Sequence, residues 1–302
     1  MTSARVLMRC GLLAVLMLVA GPASARDGLA GLLACLEDGS AAIVSAHRGG
    51  PAPGLPENAI ETFAHNRARG VLLFEVDIAK SRDNVLFLMH DRRLERTTTG
   101  TGAVAETDWA EIAPLRLEDN DGWPTEFHPP LLSDVLAWAV KEEAFLALDF
   151  KGAVGVGEVV AAVAAAEAED HVMYIAGDLA RARDILARDP DAVLSVDAGR
   201  FTPEDLLAAG LPPAQIAVWT GIGDFDAERT AAFDRAGFRV NFGTLGFVDS
   251  LDDRIAASGD DHLYAVLAAE GLHIVSTDRP LAARAALRAA GRSWDSGARC
   301  RP

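Results

Sequence analysis

Positive charge is scarce in this chain. Its 302 residues hold 28 Lys and Arg against 44 Asp and Glu, a formal net charge of −16. A nucleic-acid binder carries a basic stripe; none is found, and no nucleic-acid partner is expected. The same surface repels an anionic substrate at long range. A phosphate ester would need a metal ion, Arg or Lys to reverse the field locally. After the first 25 residues no run is apolar and long enough to span a bilayer as a helix. Linkers, repeats and low-complexity tracts are also missing, and half the residues are hydrophobic. Disordered and fibrous classes are thereby excluded, and one large domain is expected. Cysteine is limited to Cys10, Cys35 and Cys300.

What is present starts with a targeting pattern. Arg5 and Arg9 precede the apolar run Gly11 to Ala20, then Gly21-Pro22, then the small-residue stretch Ala23-Ser24-Ala25. This is the layout of a secretory signal peptide, with an apolar run too short to cross a bilayer. Residues 1–25 are read as the leader and 26–302 as the exported domain, periplasmic or secreted. Export permits disulfides, and the ends of a domain often lie close together, so Cys35 and Cys300 are the expected pair. Leu32-Leu33-Ala34-Cys35 also has the look of a lipoprotein signal. It lies beyond the apolar run and after Asp27, so plain cleavage is preferred to a lipid anchor.

From residue 41 onward, short β-rich runs alternate with Ala-rich amphipathic stretches. Strands are expected at 41–46, 71–78, 85–90, 145–150, 171–176, 192–196, 215–220, 238–242 and 273–276, with helices between most of them. Such alternation predicts a parallel sheet covered by helices. Eight or nine strands over roughly 250 residues point to a single, somewhat irregular (β/α)8 barrel of the TIM type. Nine candidates are one too many. Ala79 to Asn84 is also too short for a parallel crossover, so that pair either uses a strap or departs from ideal topology. Residues 92–130 form the largest irregular stretch, and a loop of that size is usually functional. The glycines at 152–157 do not complete a dinucleotide-binding pattern. Trp109, Trp123 and Trp138 read as packing residues, and His65, His128, His171, His262 and His273 as non-catalytic.

Catalytic groups of such barrels sit at the C-terminal ends of strands. Four candidate strands end in polar groups: His47-Arg48, Glu75 with Asp77, His90-Asp91, and Asp149 with Lys151. Glu75 and Asp77, spaced i, i+2, share one face of a strand whose neighbours are apolar. Two carboxylates there repel each other unless a cation intervenes. Asp149 can add a third, and three carboxylates with waters suit one hard divalent ion, Mg²⁺ or Ca²⁺. His47 and His90 can divide general acid and base work. Arg48 and Lys151 can hold phosphate oxygens. Any one of these residues has an ordinary structural explanation; the joint pattern carries the reading.

The pattern His47-Arg48-Gly49, Pro56-Glu57-Asn58, Glu75-Val76-Asp77, His90-Asp91, Arg96-Thr97-Thr98 and Gly102 resembles the glycerophosphodiester phosphodiesterase family. Asp149-Phe150-Lys151, Val218-Trp219-Thr220 and Thr277-Asp278-Arg279-Pro280 agree with it, and together the pieces cover about residues 42–290. The resemblance implies a phospholipase C-like barrel and metal-dependent hydrolysis of glycerophosphodiesters to sn-glycerol 3-phosphate and an alcohol. It implies His47 and His90 as the acid–base pair, and Glu75, Asp77 and Asp149 as the metal ligands. Arg48 and Lys151 would bind phosphate, and Trp219 would line the pocket. Three departures stand out. Asp149 occupies a position usually held by Glu, the turn before Val85 carries Asn84, and the usual Asn after Trp219-Thr220 is missing. The alternative is a lysophospholipase D- or sphingomyelinase D-like enzyme on membrane lipids, against which the mostly polar 92–130 stretch speaks. A non-catalytic binding protein on the same barrel would be expected to have lost some of these groups, and none is lost. Head group and oligomeric state are left open.

Overall fold

A computed structural model describes residues 28–39, 41–246 and 248–296. The leader pattern at 1–25 and Cys300 lie outside the described residues. The fold is the expected closed barrel. Its eight parallel strands are β1 (Ile43–Ala46), β2 (Leu73–Lys80), β4 (Phe145–Phe150), β5 (Val172–Ala176), β6 (Val193–Asp197), β7 (Ile216–Ile222), β8 (Arg239–Gly243) and β9 (Ile274–Thr277). They pair in chain order, and β1 closes the ring by pairing with both β2 and β9. Helices connect most of them across the outer face, and their apolar sides pack on Val44, Phe74, Val76, Leu146, Leu148, Tyr174 and Val240.

The ninth candidate strand, β3 (Leu86–Leu88), is the departure. It runs antiparallel to β2, pairing Leu88 with Ile78 and Leu86 with Lys80. The short connection at 79–84 is therefore a hairpin turn, and Asn84 takes its left-handed position at φ 67°. Of the two alternatives for this pair, the departure from ideal topology is the one found, and β3 is the surplus strand. The long stretch at 92–130 packs onto the hairpin through Phe87, Met89, Leu94, Val104 and Ile112. Between β8 and β9 lie two helices, Leu251–Ser258 and Leu263–Ala269, the first ending at the left-handed Gly259.

Strand residues alternate between the two faces of the barrel wall. Inside, the lower layer is apolar: Ile43, Leu73, Phe145, Met173, Val193, Ala217 and Ile274. One helix, α1 (Gly28–Cys35), plugs this end. Leu29, Leu32, Leu33 and Leu36 recur at i, i+3, i+4, i+7, form one stripe and insert into that layer. The sequence reading had assigned no helix here; Leu32 and Leu33 are core residues. The buried Arg239 Nε donates to the Leu33 carbonyl (2.7 Å), which ties the plug to β8. Cys35, at the end of α1, is disulfide-bonded; its expected partner is outside the described residues.

Because Leu33 is fully buried, Leu33→Ala should lower unfolding stability by about 2–5 kcal/mol. Urea denaturation should show a lower midpoint with an unchanged slope. No shift would mean that the plug is dispensable.

Candidate active site

The upper interior layer is polar, and it opens at the C-terminal ends of the strands. On β2 the alternation that turns Leu73 inward also turns Glu75 and Asp77 inward. On β4 it carries Phe145 and Ala147 up to Asp149, with Lys151 just past the strand. Glu75, Asp77 and Asp149 each offer an oxygen within 4.8 Å of the others. All three sequence-predicted ligands are thus brought together.

The donor set fits a cation. Asp77 is buried, and its Oδ1 accepts no hydrogen bond. Lys151 Nζ lies 2.9 Å from that oxygen, close enough for charge attraction but outside hydrogen-bond geometry; it is paired with Asp149 as well. Asn58 fixes Asp77 from the other side, donating from Nδ2 to Oδ2 (2.7 Å) and accepting from the Asp77 N–H (2.9 Å). Burial alone would raise the Asp77 carboxyl, but Lys151 and His90 hold it below the usual range. For Glu75 burial wins, and with the charge of Asp77 it pushes the carboxyl up to about 8. Burial would lower the Lys151 pKa, yet the two Asp carboxylates keep it above the ordinary lysine value.

His47 and Arg48 lie in a tight turn after β1. Arg48 has φ 49°, Gly49 φ 87° and Gly50 φ 76°. A side chain at Gly49 would strike the Phe63 ring at 2.2 Å, which explains the glycine of the His-Arg-Gly run. The turn aims the Arg48 N–H at Glu75 Oε2 (2.8 Å). His47 Nδ1–H donates to Asp278 Oδ1 (2.6 Å), leaving Nε2 for chemistry. Burial lowers the His47 pKa, but the Asp278 hydrogen bond and the charge of Glu75 outweigh it, and the net shift is upward.

His90 arrives by a route that the sequence reading had wrong. It does not end a barrel strand; β3 returns antiparallel, and the Met89 N–H donates to the Asp77 carbonyl (2.9 Å), which sets His90 beside the triad. Its Nδ1–H donates to Asp91 Oδ1 (2.7 Å). Arg48 is less free than expected. Its Nη1 donates to Glu57 (3.0 Å), and its Nε lies 3.7 Å from Asp77 Oδ2 with no hydrogen-bond partner.

A cavity of about 240 Å³ opens beside the triad; Asp77, Lys151 and His90 are not part of its lining. Trp219 lines it, as expected, together with His47, Glu75, Asp149 and the apolar Met173, Ile175 and Leu245. Gly243 gives Trp219 its space, since a Cβ there would meet the indole at 2.5 Å. A wider cavity of about 800 Å³ adjoins it, sharing His47 and Leu245 and reaching Arg48, Glu57, Arg96 and Asp278.

Sequence reasoning missed Ser45, Ser195, Asp197, Asn241 and Ser276, which also line the inner cavity, and it gave Asp278 no role. Each lies two residues from an inward neighbour, so extending the period-2 rule from β2 and β4 to every strand finds them. Asn241 pairs with Trp219 across β7 and β8 and brings to the pocket a carboxamide that the stretch after Thr220 lacks. Trp109 and Trp138 pack as expected, against Phe87 and against Phe63 and Phe74. Trp123 does not, being 70% exposed.

With this geometry in view, the comparisons with known proteins agree. The pattern of the glycerophosphoryl diester phosphodiesterase family matches residues 47–197. The human glycerophosphodiester phosphodiesterase 1 is 34% identical over 113 residues, 35% of this chain and 33% of that protein. The chain spans less than half the length of the curated relatives it matches. A glycerophosphoryl diester phosphodiesterase from Parabacteroides distasonis is similar over 88% of this chain and 93% of its own, with a TM-score of 0.77 and 26% identity. An Oleispira antarctica phosphodiesterase, solved with its product sn-glycerol 3-phosphate, shares the fold over 83% of this chain and 98% of its own, at a TM-score of 0.64 and 20% identity.

The raised Glu75 pKa has a consequence for stability. Without a cation the folded protein keeps a proton that the unfolded chain releases above the ordinary carboxylate range. That contribution is therefore lost as pH rises toward about 8. In EDTA the Tm should fall between about pH 5 and pH 8 more than that of Glu75→Gln. Added Mg²⁺ or Ca²⁺ should raise Tm at the upper pH far more than at the lower. A cation effect independent of pH would remove Glu75 from the ion's reach.

Proposed function

This chain belongs to the glycerophosphoryl diester phosphodiesterase family, and from that membership we propose that it hydrolyses glycerophosphodiesters to sn-glycerol 3-phosphate and an alcohol with one divalent cation, Mg²⁺ or Ca²⁺. The observation that carries the reading is the juxtaposition of the carboxylate triad with two histidines, each backed by an Asp on Nδ1. Glu75, Asp77 and Asp149 would hold the cation, which when bound neutralises phosphate charge.

The remaining chemistry falls to the chain itself. Lys151 adds a fixed positive charge at the triad, and Arg48 offers its guanidinium from the adjoining cavity. Asp278 and Asp91 keep each imidazole with its proton on Nδ1 and its lone pair on Nε2. One Nε2 takes the proton from the attacking oxygen as the O–P bond forms. The other ring, protonated, gives its proton to the departing alkoxide as that P–O bond breaks. The attacker is either water or the neighbouring glycerol hydroxyl, the latter passing through a cyclic phosphate that water then opens. Trp219 and Leu245 give the glycerol carbons an apolar wall. The leader pattern of residues 1–25 supports an exported enzyme, which N-terminal sequencing of the expressed full-length chain would bear out by starting at Arg26.

Purified residues 26–302 should release glycerol 3-phosphate from glycerophosphocholine with Mg²⁺ or Ca²⁺ and not with EDTA. His47→Ala and Glu75→Ala should each reduce the rate at least about 100-fold. Release that persists in both variants would displace the site. Activity only on lysophosphatidylcholine vesicles would favour the membrane-lipid alternative.

A further inference from the structure

We propose that Arg96 is a positioning residue that locks His90 and mechanically joins it to the Arg48 turn. This role rests on the hydrolytic reading above, in which His90 moves a proton. The guanidinium spans two carboxylates. Its Nε and Nη2 donate to Asp91 Oδ2 (2.7 Å) and Oδ1 (2.9 Å), while its Nη1 and Nη2 donate to Glu57 Oε2 (2.9 Å) and Oε1 (2.8 Å). Asp91 in turn holds His90 Nδ1, and the buried Glu57 holds Arg48 Nη1. A continuous chain of alternating charge therefore runs from His90 through Asp91, Arg96 and Glu57 to Arg48, the residue next to His47.

Stability explains only half of this arrangement. The pair with buried Glu57 anchors the fork, but Arg96 is 44% exposed and Asp91 is partly open too, and a pair of that kind contributes little to folding. What the fork supplies is direction. Asp91 is partly open to solvent, and without Arg96 its carboxylate can turn away and free the His90 ring to flip. The two histidines arrive on different elements, one after β1 and the other after the β3 hairpin. Arg96 is the point at which side chains from both are gripped by one rigid plane. A lysine cannot substitute, since a point charge lacks the planar fork that meets two carboxylates at once.

The test compares wild type, Arg96→Gln, Arg96→Lys, Asp91→Asn and the Arg96→Gln/Asp91→Asn double variant. Glycerophosphocholine hydrolysis with Mg²⁺ and side-chain 15N spectra of the histidines are read for each. Arg96→Gln should lower kcat roughly 10–100-fold, the size found for groups that orient an imidazole from behind, with KM within about threefold. Arg96→Lys should recover little. The His90 ring signals should move while those of the distant, buried His273 stay. On the Asp91→Asn background the further loss in kcat should be no more than about twofold. An unchanged kcat in Arg96→Gln, a loss confined to KM, or a loss that multiplies in full on Asp91→Asn would each overturn the role. If the wild type hydrolyses no diester with any cation, the hydrolytic reading fails. The ring spectra then decide alone, and an unmoved His90 signal sinks the positioning role.

Discussion

Glu75, Asp77 and Asp149 direct three carboxyl groups into a space a few ångströms across. Their mutual repulsion shapes everything around them. Lys151 lies against two of them, Asn58 and the Arg48 N–H spend their donors on them, and Glu75 still retains a proton well above the ordinary range. On the proposed function, an acidic protein has to attract a phosphate ester, and such a place lets it. The charge that repels the substrate at long range is, at the mouth, the charge that would gather a cation.

Much of this could be read from the residues before any coordinates. The barrel was legible because alternating short strands and amphipathic helices have few other solutions. The triad was legible because the i, i+2 spacing on β2 and β4 has a direct geometric meaning. The hidden parts share a cause. Ser45, Ser195, Asn241 and Ser276 are short and uncharged, so nothing in the sequence separates them from ordinary polar residues of a strand. Glu57, Asp91 and Arg96 act by meeting one another in space, and no local rule predicts which irregular segments touch. The α1 plug was masked by its closeness to the leader pattern, although its Leu spacing is helical.

The β2–β3 hairpin reconciles an awkward strand count with a tidy site. β2 carries Glu75 and Asp77 and then overshoots the barrel rim to Lys80. The antiparallel return brings His90 back down to the level of Asp77. One excursion thus brings the two carboxylates of β2 and a histidine to the same end of the barrel, and the stretch at 92–130 packs against it. The period-2 alternation divides the interior in the same economical way. The same strands give a dry lower layer, sealed by α1, and a polar upper layer open to substrate.

The ring closure has a consequence for how the protein is made. His47 meets Asp278 across 231 positions, and Leu33 meets Arg239 across 206. β1, the first strand of the barrel, has its two neighbours in β2 and β9. A growing chain has no way to seal its floor or back its first histidine until the last strands have been synthesised. Contacts of such long range also slow folding. The nascent barrel therefore stays open until β9 is made.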